Sequence, residues 1–236
     1  MMAKTNAGLV DYAIAQLGLP YWYGTFGNIG SEELYKSKKK QYPQYYKWEG
    51  TAYDNFASQY GMRVHDCVGL IKGYLWSDSP TAKPRYASGG YPDLSANQMR
   101  YACKITGGIS SMPDIPGVLV FMVGHVGVYI GGGYVIEARG HEYGVVRTSL
   151  KSRPWKWWGK CPYIEYIDAP DTAADIKLKV KSGKWHVRSA PNVDGKVLRV
   201  VGEGTTLYAD RSDPVSGWFH VPSLSGWISY KAVERV

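Results

Sequence analysis

Val118-Leu119-Val120-Phe121-Met122-Val123-Gly124-His125-Val126-Gly127-Val128-Tyr129-Ile130-Gly131-Gly132-Gly133-Tyr134-Val135-Ile136-Glu137-Ala138 is the stretch on which the fold turns. Its hydropathy resembles that of a membrane span. Six positions from Gly117 to Ile136 are glycine, however, and Val, Ile, Tyr and Phe favour strands, so no membrane span is expected. A period of two gives strands Val118–Met122, His125–Ile130 and Tyr134–Ala138, joined by glycine turns. Val145–Thr148 and Tyr163–Ile167 extend the same pattern into an antiparallel meander.

Upstream the pattern is helical. In residues 6–17, Leu9, Val10, Ala13, Ile14 and Leu17 follow the helical period, and Gly18 with Pro20 ends it. Residues 67–76, CVGLIKGYLW, predict a mostly buried helix with Asp66 as its N-cap. Ser95 and Gln98 form a capping box that opens a helix to about Lys104. Residues 24–64 are polar, rich in Gly, Lys and Tyr, and read as a long excursion rather than core. Helices first and strands afterwards give an α+β layout.

Downstream, residues 168–176 (DAPDTAADI) have no apolar period and read as a linker. Residues 177–236 predict strands at Leu178–Val180, Val197–Val201, Thr206–Ala209, Trp218–Val221 and Gly226–Ser229, enough for a small all-β barrel. The expected organisation is a domain at 1–167 carrying the 24–64 insertion, a linker at 168–176 and a second domain at 177–236. Lys and Arg number 28 against 20 Asp and Glu, for a net charge of +8. The last segment carries six Lys and four Arg against five acidic residues. That balance favours anionic partners without naming one. Three cysteines without a CxxC pair make neither a disulfide framework nor a structural zinc site, and no metal or cofactor is expected. Residues 1–20 hold no apolar core of the signal-peptide kind.

The strongest chemical signal is His65-Asp66-Cys67-Val68-Gly69-Leu70-Ile71, which puts a thiol on the first turn of a helix. The thiolate is the nucleophile, and an ordinary cysteine is only a few per cent ionised at pH 7. A helix N-terminus contributes about 0.3–1 kcal/mol toward ionisation, so a cation such as an imidazolium is expected beside Cys67. His125 is the best partner. Alternation puts His125, Gly127 and Tyr129 on one face, with room beside the imidazole at Gly127. A three-residue loop at 131–133 pairs Ile130 with Tyr134 and Gly127 with Glu137, making Glu137 a diagonal neighbour of His125. A two-residue loop would turn Glu137 to the opposite face. The set is then Cys67 attacking, His125 as base and Glu137 orienting the imidazole, with His141 as rival for the third role. Cys103 and Cys161 read as small buried hydrophobes.

Three segments resemble the NlpC family of papain-like bacterial cell-wall cysteine peptidases. Leu19-Pro20-Tyr21-Trp22-Tyr23-Gly24 is similar to its PYxWGG motif. Asp66-Cys67-Val68-Gly69-Leu70-Ile71 is similar to its DCSGL motif. Pro116-Gly117-Val118-Leu119-Val120-Phe121, continued by His125-Val126-Gly127-Val128-Tyr129-Ile130-Gly131, is similar to PGDLVFF…HVGIYIG. The resemblance covers about residues 5–167 and implies cleavage of peptidoglycan stem peptides next to γ-D-glutamyl. It implies Cys67 as nucleophile, His125 as base, and Glu137 where the family often has histidine. It also implies that Tyr21 and Asp66 contact substrate. Val68, Thr25 and Glu137 depart from the usual residues. The Cys-His-Glu set is also similar to that of the CHAP amidases and cross-bridge endopeptidases, which is the first alternative. A non-catalytic wall- or nucleic-acid-binding protein is the second.

Val187-Arg188-Ser189-Ala190-Pro191, Gly204, Gly217-Trp218-Phe219-His220-Val221 and Gly226-Trp227-Ile228 resemble bacterial SH3-like wall-binding domains. This implies a cell-wall polymer as partner of the second domain. Catalysis followed by wall binding, without a leader, fits a phage or prophage endolysin released through a holin. A leader trimmed from upstream of Met1 is the alternative. Two basic-aromatic clusters remain, Lys36–Trp48 and Lys151–Lys160, and they read first as solvated faces with packed aromatics. As binding surfaces they fit teichoic-acid phosphates or glycans better than nucleic acid, which is not an expected partner.

Overall fold

The computed structural model describes residues 3–48, 50–79, 82–166, 176–209, 211–213 and 216–236. The chain divides into two compact units, Met1–Tyr166 and Ile167–Val236. Residues 168–175 of the expected linker lie outside the described residues, and Ile176 already opens a strand.

In the first unit, helix α1 (Asn6–Ala15) starts where Thr5 Oγ1 accepts from Gly8 N at 3.1 Å. It is followed by β1 (Phe26–Ile29), α2 (Glu32–Gln41), β2 (Arg63–His65), α3 (Cys67–Leu75) and α4 (Ala96–Ala102). The capping box of α4 is complete, with Gln98 N on Ser95 Oγ at 3.3 Å and Ser95 N on Gln98 Oε1 at 2.8 Å. Strands β3 (Thr106–Gly108), β4 (Leu119–Met122), β5 (His125–Gly131), β6 (Tyr134–Ala138), β7 (Val145–Ser149) and β8 (Trp157–Gly159) form one antiparallel sheet. Its order is β3-β8-β4-β5-β6-β7.

The period-two reading of β5 places the core. Val126, Val128 and Ile130 pack with Leu9, Leu70 and Ile71 of α1 and α3. Tyr129 faces the other way, among Val118, Val135 and Trp155. Each such aliphatic side chain, fully buried, stabilises the fold by about 1.5–3 kcal/mol.

Three sequence expectations differ from the structure. Residues 163–166 form no strand, and Glu165 makes only an isolated bridge to Thr5. The Tyr166 hydroxyl instead accepts from Cys161 N and donates to Gly117 O, so the segment is pinned by a side chain rather than a ladder. The sheet takes Trp157–Gly159 in its place. The glycine turn is shorter than expected, because Gly131 pairs with Tyr134 and a bulge intervenes before Tyr129↔Val135. The bulge absorbs one residue, so Val128 still faces Ile136 and Glu137 keeps the expected phase.

The described residues of 24–64 form helices and strands and supply part of a core, where an excursion was expected. Ser31 caps α2, Glu32 and Glu33 occupy its first turn and Lys38, Lys39 and Lys40 its last, complementing the helix dipole. The segment also contributes Tyr46, Phe56 and Val64 to an aromatic core shared with Trp22.

Among the described residues, the second unit holds eight strands: β9 (Ile176–Val180), β10 (Lys184–Arg188), β11 (Val197–Gly202), β12 (Thr206–Ala209), β13 (Arg211–Asp213), β14 (Trp218–Val221), β15 (Gly226–Ser229) and β16 (Val233–Arg235). They make sheets of order β11-β10-β15-β14-β13 and β12-β9-β16 around a core that includes Leu178, Val187, Phe219, Val221 and Ile228. Trp218 is buried, whereas Trp227 is half-buried beside His220. Among the described residues no helix is long and apolar enough to cross a membrane.

Candidate functional site

Asp66 organises the start of α3. Its Oδ1 accepts from Gly69 N at 2.5 Å, as an N-cap does, and its Oδ2 accepts from Gly24 N at 2.9 Å. Asp66 N in turn donates to Thr25 O, and Trp22 N to His65 O. These bonds lay the segment carrying Tyr21 alongside His65 and the helix start. Burial pushes the Asp66 carboxyl up, while the Lys72 charge and the N–H groups of Gly69 and Gly24 draw it down. Burial likewise raises the Tyr21 phenol, with the charges of Cys67 and Asp66 adding to it.

Cys67 is the first residue of α3, 8% exposed, with its Sγ 3.9 Å from the carbonyl oxygen of Gly124. The expected lowering of its pKa is not found. Burial pushes the thiol up to about 12, and the charge of Asp66 adds to that. The backbone N–H groups of Val126 and Val68 pull the other way without prevailing. One turn of helix cannot offset removal of the charged form from water.

His125 opens β5 beside Gly124. Its Nε2 is 2.6 Å from Glu137 Oε2. Glu137 is fully buried, and its oxygens also accept from Thr148 Oγ1 at 2.7 Å and from Arg153 Nε and Nη2 at 3.0 and 3.1 Å. Burial alone would raise this carboxyl, but the bonds from His125, Arg153 and Thr148 together hold it below its ordinary value. The other face of the imidazole is covered by Trp155, with ring centroids 5.6 Å apart and planes 13° from parallel. The absent side chain of Gly127 admits this tryptophan. A Cβ there would stand 3.1 Å from Trp155 Cη2 and closer still to Val135.

The structure thus brings His125 and Glu137 into direct contact. It gathers Tyr21, Asp66, Cys67 and His125 around one cavity of about 740 Å³. His141 lies elsewhere. Its ring is stacked with Phe56 and Trp48, its Nε2 is 2.7 Å from Tyr53 O, and its Nδ1 is 3.4 Å from Tyr21 O. Cys103 and Cys161 are buried free thiols. Among the described residues, no three His, Cys, Asp or Glu side chains are grouped as a metal site requires.

Sequence reasoning missed Thr148, Arg153 and Trp155 as parts of this site. Thr148 had a readable signal, since β7 pairs with β6 and places it diagonal to Glu137. Arg153 and Trp155 follow a single 3₁₀ turn after β7, and their spacing announces nothing.

In a structural comparison, NlpC2 from Trichomonas vaginalis matches at 15% identity and a TM-score of 0.42, over 68% of this chain and 48% of that one. The peptidoglycan hydrolase RipB from Mycobacterium tuberculosis matches at 19% identity and 0.40, over 68% and 65%. The P60 domain of an antigen from M. avium subspecies paratuberculosis matches at 21% and 0.38, over 68% and 98%. The chain spans about half the length of the Trichomonas structure. No curated protein matches it. Residues 43–161, which include Cys67, His125 and Glu137 but not Tyr21, match the model of the NlpC/P60 family. Since that match takes in half of the 236 residues, the chain belongs to the NlpC/P60 family.

Proposed function

We propose that the chain is a peptidoglycan hydrolase, a thiol endopeptidase that cuts stem peptides next to γ-D-glutamyl. The carrying observation is the 2.6 Å contact between His125 and buried Glu137 at a cavity that Cys67 also lines. Family membership supports the substrate class. With Glu137 accepting at Nε2, that nitrogen carries a proton and Nδ1 is the basic one. Nδ1 takes the thiol proton as Sγ attacks the peptide carbonyl carbon. Burial favours the neutral thiol, so proton transfer accompanies attack rather than preceding it. The Cys67 backbone N–H, at the start of α3, stabilises the oxyanion. The C–N bond then breaks as His125 protonates the leaving amine. Water, deprotonated by His125, cleaves the thioester and regenerates the thiol. Tyr21 and Asp66 border the cavity and contact the stem.

The second unit is, in this reading, an SH3-like module that holds an anionic wall polymer, consistent with its excess of basic residues. The whole would be a phage or prophage endolysin. One observation favours a second reading: the third group is a carboxylate, as in the CHAP amidases.

The test is turbidity of purified peptidoglycan with wild type, Cys67→Ala and His125→Ala in parallel. Wild type clears the suspension, and each variant loses at least about 10³-fold in rate, as removal of a nucleophile or its base does. Clearing by Cys67→Ala would refute the thiol mechanism. Mass spectrometry of the products separates the two readings. New free amines on the diamino acid support the endopeptidase, and new N-terminal alanine supports the amidase.

A further inference from the structure

The cavity carries charges that the proposed chemistry does not use. Lys38 and Lys72 line it, and so do Asp66 and Asp93. Three of these four are already matched. Lys72 Nζ lies 2.6 Å from Asp93 Oδ1, and Asp93 Oδ2 accepts from the Tyr86 hydroxyl at 2.8 Å. Asp66 holds two backbone N–H groups.

Lys38 differs. Its Nζ donates to Gln41 Oε1 at 3.2 Å, and among the described residues it has no ion pair. The ammonium is 5.6 Å from the centroid of Tyr42, another lining residue. Burial lowers its pKa, Asp66 and Asp93 raise it and Lys72 lowers it, so all three charges are felt there. An ammonium offers three donors, and Lys38 commits one. Partial burial of a cation without a counter-ion costs free energy that an incoming anion would offset.

We propose that Lys38, from the α2 segment, is a specificity-determining residue that takes a free carboxylate of the bound stem peptide. This rests on the cavity being the stem-peptide site. A γ-linked glutamyl residue leaves its α-carboxylate free, and a stem also ends in a carboxylate. Either supplies the same chemistry, and the test separates them.

Three synthetic peptides are titrated calorimetrically into the Cys67→Ala protein: L-Ala-γ-D-Glu-L-Lys, its glutamyl α-carboxamide and its C-terminal amide. One of the amides binds about tenfold more weakly than the free acid, the scale of one charge-assisted hydrogen bond. Adding Lys38→Gln weakens the free acid by the same factor and leaves that amide unchanged, while Lys38→Arg restores the free acid. Melting temperatures confirm that the variants fold. If Lys38→Gln weakens all three peptides equally, or none, the inference is overturned. Cleavage of the same peptides by the wild-type protein is followed in parallel. The expected binding pattern without cleavage would refute the hydrolase reading alone. Cleavage with no dependence on Lys38 would refute the inference alone. Binding of none of the three would refute both.

Discussion

The two walls of the cleft are built from different materials. On one side, the β5–β6–β7 sheet holds His125 through a carboxylate that accepts four hydrogen bonds from His125, Thr148 and Arg153. On the other, the 24–64 segment presents tyrosines and a lysine over an aromatic core of Trp22, Tyr46 and Phe56. Tyr23 and Tyr45 stack there with centroids 3.6 Å apart and planes 5° from parallel. Hydrogen bonds to a buried charge are directional and fix an atom's position. Ring stacking fixes a surface and tolerates sliding. The first wall therefore suits chemistry and the second suits shape.

The difference can be tested from the strong side to the weak one. Glu137→Gln removes a fully buried carboxylate and leaves the half-buried Arg153 and His125 without their partner. Stability should fall by about 3–5 kcal/mol, the usual cost of breaking a buried pair from one side. Chemical denaturation measures it, and an unchanged midpoint would mean that the carboxylate anchors nothing.

An intermediate effect comes from β2, which pairs with β1 and leads into α3. His65 is fully buried, and burial lowers its pKa to about 3. The unfolded histidine titrates near 6.5, so between those values the unfolded chain binds the extra proton. Stability is then fully present above about pH 6.5 and falls as pH drops toward about 3, by about 1.4 kcal/mol per unit. Glu137, also depressed, adds to the loss only in the carboxylate range below about pH 4.3. Melting is followed from pH 7 to 5 in wild type and His65→Gln, whose curve should be flatter there. The buried Asp66, whose raised carboxyl works in the opposite sense, is common to both, so the difference between the two curves isolates the histidine.

The smallest effect belongs to the second wall. Ser31→Ala removes the N-cap bond to Leu34 N and should cost about 1 kcal/mol. Hydrogen exchange should quicken within α2 and not in β5 or β6. Faster exchange across the sheet would show the two walls to be one cooperative unit.

The same contrast explains what could be read in advance. The helix that Cys67 opens, the capping box at Ser95 and the strands from Leu119 to Ala138 are legible because caps and alternation are local signals. So is the approach of Glu137 to His125, although the turn that produces it was expected to be longer. The 24–64 segment was not legible as core, because its aromatics pack without a period. Ser31, Glu32, Glu33 and the three lysines at 38–40 did spell a capped helix and were overlooked. Strand β10, KWHVR, was hidden by its charges, since only Val187 turns fully inward. Arg153 reaches the Glu137 carboxylate and Trp155 the imidazole from beyond a 3₁₀ turn, a relation that no local pattern encodes.

The hairpin between β5 and β6 has one more consequence. Gly131, Gly132 and Gly133 all have positive φ, at 91°, 61° and 79°, a conformation that resists side chains. Together with the bulge they also count residues. Deleting one glycine would advance β6 by a single position and present Ile136 or Ala138, instead of a carboxylate, to His125. For this loop the genetic event to fear is a change of length. An in-frame loss of three nucleotides, far milder on paper than many substitutions, would swap the inward and outward faces of β6 at once.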